Sequence, residues 1–344
     1  MSKATIEIDG SHGEGGGQVL RTSLALSLIT GKPFHLRKIR AKRTKPGLQA
    51  QHLMSVRAAA EIGAATAQGD RLGSGDLRFE PGAVRPGQYH FKVGTAGATS
   101  LVLHTICLPL ALAGGASTVT IEGGTHVKAS PCFHFLERSW APYLKSIGVH
   151  VEVSLERAGF YPRGGGRIHA CITSTSDLRG FTGMAAAPIR RVRIHSVVAG
   201  LPDHVADRLV QTAHRRLSAL GLEVETCRQA WPGGPGCMLG IELTTIPAPT
   251  FLFALGERGK PAEVVAKEAI EQIECFLAVQ PLGVDEHSAD QMLLPLALAK
   301  GASEFRVAAI SSHLRTNATV IQHFLTRAIK IEGAVGEPGI VRIP

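Results

Sequence analysis

Aromatic residues are scarce in this 344-residue chain, with 12 Phe, 3 Tyr and 2 Trp. So few rings cannot line a long groove of stacking platforms, which disfavours a protein that grips single strands mainly by base stacking. Any contact with nucleic acid should therefore fall largely on phosphate. The six cysteines (Cys107, Cys132, Cys171, Cys227, Cys237 and Cys275) form no CxxC pair. That spacing points to neither a zinc knuckle nor a disulfide framework. No charged-then-apolar leader opens the chain, so the reading expects reduced thiols and a cytoplasmic protein without a membrane anchor. Long apolar runs are missing as well. The uncharged stretch from Val93 to Ile121 carries His104, Pro109 and several Gly, Thr and Ser. Its continuous apolar part falls well short of the ~20 residues of a membrane span, so it reads as a buried helix with flanks.

The last absence is local. Between Gly15 and Ala60 there is no Asp or Glu, yet nine bases occur there: Arg21, Lys32, Arg37, Lys38, Arg40, Lys42, Arg43, Lys45 and Arg57. They equal the whole formal surplus of +9, and the pI is near 9.5. Such a balance favours an anionic partner. Elsewhere the composition is that of a folded protein, with 44% apolar and 19% charged residues and a mean hydropathy of +0.11. Disorder is excluded, and the length suits about two domains.

A phrase is repeated. Leu108-Pro-Leu-Ala-Leu-Ala113 recurs as Leu294-Pro-Leu-Ala-Leu-Ala299, each followed by one residue and then Gly-Ala-Ser. Ser23 to Gly31 is a looser third copy. After each comes an alternating strand (Phe34 to Ile39, Thr118 to Ile121, Glu304 to Val307), a polar loop and a second helix starting near Leu48, Pro131 and Asn317. The spacing predicts a helix–strand–loop–helix unit used three times. Loops after equivalent strands should share one rim, where sites are commonly built. These are Arg37 to Lys45, Glu122 to His126, and Ser311 to His313. Between the second and third copies, 185–276 reads as a smaller β-α-β-β-α domain. It would be inserted into a large repeat domain of 1–184 and 277–344, an α/β (α+β) fold.

Several residues stand out chemically. Glu14 sits in Gly13-Glu-Gly-Gly-Gly17, between a strand at Thr5 to Ile8 and a helix from Gln18. A glycine turn at a helix N-terminus suits an anion, and a lone carboxylate among the glycines suggests metal–phosphate work. The glycines fit neither GxGxxG nor a Walker A loop. Asp285 to Gln291 opens the third repeat's helix, with Ser288 as its expected N-cap. Asp290 and Gln291 there suit either helix capping or a nucleotide pocket. His313 lies in Ser311-Ser-His-Leu-Arg-Thr-Asn317, read as just before a helix.

With these residues on the page, the chain resembles the RNA 3′-terminal phosphate cyclase family along nearly its whole length. The resemblance rests on Asp9-Gly10, Gly13-Glu-Gly-Gly-Gly-Gln18, Leu20-Arg21, Lys45-Pro-Gly-Leu48 and Gln51-His52-Leu53. It continues in Gly159-Phe-Tyr-Pro-Arg-Gly-Gly-Gly166, Ala262-Glu-Val-Val265, Ala289-Asp-Gln291, His313 and Thr316-Asn317. The family fold so implied has three repeated βα units and a smaller inserted α/β domain. The resemblance implies ATP as co-substrate, RNA with a 3′-terminal phosphate as partner, and His313 as the nucleophile that takes up AMP. It implies Glu14 on a divalent metal, Mg2+ or Mn2+. His104, His287, Ser288, Ala289, Asp290 and Gln291 would bind the nucleotide, and Arg21, Arg40, Arg43 and Gln51 the phosphates or the RNA end. His104 stands where the family usually has Gln, and His287 where many members have an aromatic residue. Ala158 replaces a basic residue, and His126 an acidic or amide one. Two other classes share features. Non-catalytic cyclase-like proteins that bind RNA in ribosome assembly lack the nucleophilic histidine, and enolpyruvyl transferases share a repeated architecture but not these motifs.

Overall fold

The computed structural model describes residues 4–183 and 189–344. In the first unit a strand β1 (Ile6–Asp9) leads through the glycine turn into α1 (Gly17–Thr30), β2 (Phe34–Arg37) and α2 (Ala50–Ile62). A hairpin of β3 (Thr66–Gln68) and β4 (Asp76–Glu80) completes it. The second unit repeats this with β5 (Gln88–Lys92), α3 (Thr99–Ala111) and β6 (Ser117–Gly123). Next come α4 (Phe133–Phe135) and α5 (Ala141–Ser146), joined by a π-helical turn over Leu136–Trp140, and the hairpin β7 (Val151–Arg157) and β8 (Gly166–Ile172). The strand orders β1-β2-β4-β3 and β5-β6-β8-β7 are the same path through a sheet.

The stretch between the second and third units holds β9 (Arg191–Ala199), α6 (Asp203–Ala219), β10 (Glu223–Trp231), β11 (Gly236–Leu243), β12 (Thr250–Leu255) and α7 (Ala262–Ala278). The sequence reading lacked β12. Thr250 to Leu255 is a short, almost wholly apolar run after a Pro-Ala-Pro turn, and period alone cannot type such a run. The expected boundary at 184/185 lies outside the described residues, and α7 runs unbroken across 276/277. The third unit then follows as α8 (Glu286–Leu298), β13 (Ser303–Val307), α9 (Ser312–Phe324), β14 (Lys330–Glu332) and β15 (Gly339–Ile343), with sheet order β13-β15-β14. Its first strand has shrunk to one parallel bridge, Val284 to Val307. The repeat is thus β-α-β-α-β-β; the helix–strand–helix phrase seen in the sequence is its middle.

Burial follows this plan. β4, an inner strand of its sheet, alternates exposed and buried residues, the mark of a sheet with one wet face. By contrast, α3 is buried at all of its positions but His104. Its composition is apolar on every side, which fits a helix enclosed by other elements. α1 packs against α2, α3 and α9, and α8 against α9. One hydrophobic core runs through all three units. A second lies between the β9–β12 sheet and the helices α6 and α7. Val197, Ala199 and Phe251, on the sheet's other face, belong to the first core. That sheet is therefore pressed against the repeats. No helix among the described residues is long and apolar enough to cross a membrane.

Candidate active site

A partly open pocket lies where α1, α3, α8 and α9 meet the π turn. Arg21, His104, Asp290 and Gln291 line it, together with Gln18, Thr22, Asn317 and the Trp140 ring. Helix spacing explains the grouping: Gln18, Arg21 and Thr22 share one face of α1 because residues three and four apart stack.

The polar side chains form a continuous chain. Arg21 Nη2 donates to Gln18 Oε1 at 2.8 Å, and Gln18 Nε2 donates to Thr22 Oγ1 at 3.2 Å. Thr22 in turn donates to Asn317 Oδ1 at 2.7 Å, and the Asn317 amide donates to Asp290 Oδ1 at 3.0 Å. Gln291 Nε2 closes the line on Asp290 Oδ2 at 3.1 Å. Burial raises the Asp290 pKa, against the pull of His313 and Arg21, while burial lowers Arg21 to about 10, which leaves it charged at neutral pH. His104 stacks on Trp140 with centroids 4.6 Å apart. Neither of its ring nitrogens has a well-aligned partner. Burial and the Arg21 charge, partly offset by Gln291, bring it down to about 3, so the ring is neutral.

The glycine turn adjoins the pocket, since a Cβ at Gly17 would lie 2.8 Å from Arg21 Nη1. Gly13 has φ +60, and a Cβ there would collide with Thr316 Oγ1. The Glu14 N–H donates to that same hydroxyl at 3.3 Å. The packing presses Glu14 against α9, where Oε1 lies 3.2 Å from His313 Nδ1 and Oε2 takes a 2.6 Å bond from Arg43. Glu14 is 9% exposed and His313 50%. The carboxylate raises the His313 pKa, although burial opposes it. The Glu14 pKa is lowered despite burial, held down by His313, Arg43 and Arg21. α1 begins at Gly16 with no side-chain cap and no acid in its first turn. Its free amides and positive dipole end suit a phosphate.

Other expected residues are placed differently. His313 lies within the first turn of α9, capped by Ser311, which accepts from Leu314 N at 3.0 Å. Asp285, not Ser288, is the N-cap of α8 and accepts from the amides of His287 and Ser288. Both amides reach the same Asp285 Oδ1, at 3.1 and 2.9 Å, and Ser288, already inside the helix, faces Ser139 Oγ at 3.1 Å in the interior. Ala289 is fully buried and His287 is exposed, so neither lines the cavity. Arg40 Nη1 donates to the carbonyls of Lys45 and Gly47 at 2.6 and 2.9 Å, which folds this guanidinium back to hold its own loop. Gln51 Oε1 accepts from the Ala98 amide at 2.9 Å and ties α2 to the start of α3.

Nor do all three rim loops converge. The first and third meet through Arg43, Glu14 and His313, whereas the second turns inward. There His126 Nε2 lies 2.9 Å from His134 Nδ1, and His134 Nε2 2.6 Å from Gln229 Oε1 on β10. Sequence reasoning missed this buried pair because eight-residue spacing carries no local signal. It also missed His52, whose ring caps the Gln49 amide at 3.2 Å and sits beside Arg21 at the start of α1.

Comparison with known proteins adds to this geometry. The family model described as RNA 3′-terminal phosphate cyclase matches residues 12–331. The chain is 42% identical over 329 residues to the RNA 3′-terminal phosphate cyclase of Salmonella agona strain SL483, covering 96% of this chain and 94% of that one. To that of Ectopseudomonas mendocina strain ymp it is 43% identical, covering 94% of each chain. With the one from Koribacter versatilis strain Ellin345 it shares 44% identity, covering 95% and 91%. Repeated βα units around a polar pocket describe a mixed α/β enzyme. The chain belongs to the RNA 3′-terminal phosphate cyclase family.

Proposed function

We propose that this enzyme uses ATP to convert an RNA 3′-terminal phosphate into a 2′,3′-cyclic phosphate, with His313 carrying AMP between the two. One observation carries the reading: a half-exposed imidazole one helical turn from the pocket-lining Asn317, with a nearly buried carboxylate 3.2 Å from its Nδ1. A neutral ring whose Nδ1–H faces Glu14 keeps the Nε2 lone pair for attack. The nucleoside would lie among His104, Trp140 and Gln291, which line the pocket. Its triphosphate would then reach Arg21, Arg43 and the open end of α1.

In this reading His313 attacks the α-phosphorus of ATP. A nitrogen–phosphorus bond forms, the α–β anhydride bond breaks and pyrophosphate leaves. The Glu14 carboxylate balances the positive charge that the ring then carries. A 3′-phosphate oxygen of the RNA next takes the AMP, and the ring recovers its lone pair. Finally the neighbouring 2′-hydroxyl attacks the activated phosphorus, gives up its proton and expels AMP.

A divalent metal fits at Glu14. Its Oε1 is buried and makes no well-aligned hydrogen bond. Hard cations take such oxygens. No group of three or more His, Cys, Asp or Glu among the described residues could hold a metal by itself. Glu14 would be the protein's ligand, with phosphate oxygens and water as the others. When bound, the cation would neutralise charge on the phosphates. The deciding experiment incubates the protein with α-labelled ATP and magnesium, then denatures it. Label that stays on the wild type and is lost in His313→Ala supports the reading; label retained in the variant overturns it.

A further inference from the structure

The hairpin Gly159 to Gly166 is a conspicuous motif that takes no part in the nucleotide pocket. It is built as a rigid display. Gly159 N donates to Thr125 Oγ1 at 2.9 Å, and its carbonyl accepts from the amides of Thr125 and His126 at 2.8 and 3.0 Å. Gly164 N closes the turn on Phe160 O at 2.7 Å. The Phe160 ring stacks on the buried His126 ring, centroids 4.8 Å apart. From this frame Tyr161 projects into solvent with 74% of its surface exposed. Every Phe and Trp, and both other tyrosines, are buried or half-buried. Beside it Arg163 is exposed and makes no ion pair among the described residues.

The hairpin also has a direction. A Cβ at Gly164 would lie 2.7 Å from the Ala96 Cα, and two residues beyond, Ala98 donates to Gln51 at the head of α2. Residues 46–49 join α2 to the basic loop that carries Arg43. On its other side the hairpin touches the β10–β11 turn, where a Cβ at Gly234 would lie 2.9 Å from the Arg163 stem. Tyr161 and Arg163 thus stand on a surface held by both the repeats and the β9–β12 sheet, beside the segment that Gln51 ties to the head of α2.

We propose that Tyr161 and Arg163 form a docking point for the RNA strand upstream of its reacting end, a base stacking on the Tyr161 ring and a phosphate meeting the Arg163 guanidinium. This rests on the reading of the chain as acting on an RNA end. An exposed ring held on a fixed hairpin loses little freedom on binding, and a free guanidinium next to it suits the phosphate that follows the base.

The test measures binding of 3′-phosphorylated RNA, a dinucleotide and a longer oligonucleotide, by fluorescence anisotropy. Wild type should bind the longer strand more tightly. Tyr161→Ala should weaken that binding about tenfold, toward the dinucleotide value, while Tyr161→Phe keeps it. Arg163→Ala should weaken it and lower its salt dependence by about one counterion. Wild-type affinity in Tyr161→Ala, or no length dependence in the wild type, overturns the proposal. AMP labelling of wild-type His313 needs no RNA, so failure of the cyclase reading appears separately.

Discussion

Two histidine-bearing loops follow equivalent strands and end in opposite states. After β13, His313 stands half-exposed beside a carboxylate that raises its pKa. After β6, His126 is buried and joined to His134 and Gln229, and burial lowers both rings, His134 to about 4. Both follow the middle strand of a repeat, but His126 lies in a loop bridged to Phe160 and His313 in the first turn of α9. The cover differs too: β10 supplies Gln229 to the second unit's histidine pair, while the third unit's His313 stays half-exposed beside Glu14. The comparison shows that duplication creates candidate sites and later packing decides which of them becomes polar interior.

Breaking the pair at its reactive member should have the largest effect. His313→Ala removes covalent labelling by ATP altogether, whereas His134→Ala keeps it in whatever protein folds. Label lost equally in both would erase the contrast. Next, Glu14→Gln should slow labelling about a hundredfold, the scale of losing one placed charge at a transition state. It should also move the acid limb of the pH–rate profile. The nucleophile must be neutral, and Glu14 raises its pKa above ~6.5. Activity therefore falls as pH drops through that raised value, and the variant's limb should lie at lower pH. An unmoved limb would show that the carboxylate does not set the charge of the ring.

The buried pair should respond through stability instead. Gln229 Oε1 accepts from His134 Nε2–H, so His134 Nδ1 is bare and accepts from His126 Nε2–H. A proton added to either ring breaks that order. His134 titrates at about 4 when folded and near ~6.5 when unfolded. The unfolded chain therefore binds more protons between these values, so stability is fully present above ~6.5 and should be lost as pH drops from there toward 4, by up to about 3 kcal/mol. Urea unfolding at several pH values checks this, and His134→Phe should flatten the dependence. Removing Gln229 by Gln229→Ala leaves a buried N–H without an acceptor and should cost about 1–3 kcal/mol. Smallest is Arg43→Ala, which should lower the salt slope of RNA-end binding by about one counterion. An unchanged slope would leave Glu14 as its only partner at the rim.

Much of the fold was legible in the sequence because its signals are local. The duplicated Leu-Pro-Leu-Ala phrases, the glycine stops and the alternating strands located α1, α3, α8 and the strands after them. The short strand β12 and the one-residue bridge at Val284 were not legible, since so few residues carry no reliable period. Within the site, Arg21, Asp290, Gln291 and His104 do come together. Arg40 and Gln51 read as free cation and free amide until the backbone groups they bind are seen. The N-cap shifted from Ser288 to Asp285 for a similar reason: both can cap a helix, and only the path of the preceding chain decides between them.

By itself, the sequence determined the three-fold repetition, the element types and the concentration of positive charge near one end, all functions of neighbouring residues. Tertiary structure alone decided which histidine stays wet, which carboxylate faces it and which rim loop is covered. Those outcomes depend on desolvation and on contacts such as Glu14 with Thr316, 302 residues apart, and no local pattern encodes a distance of that kind.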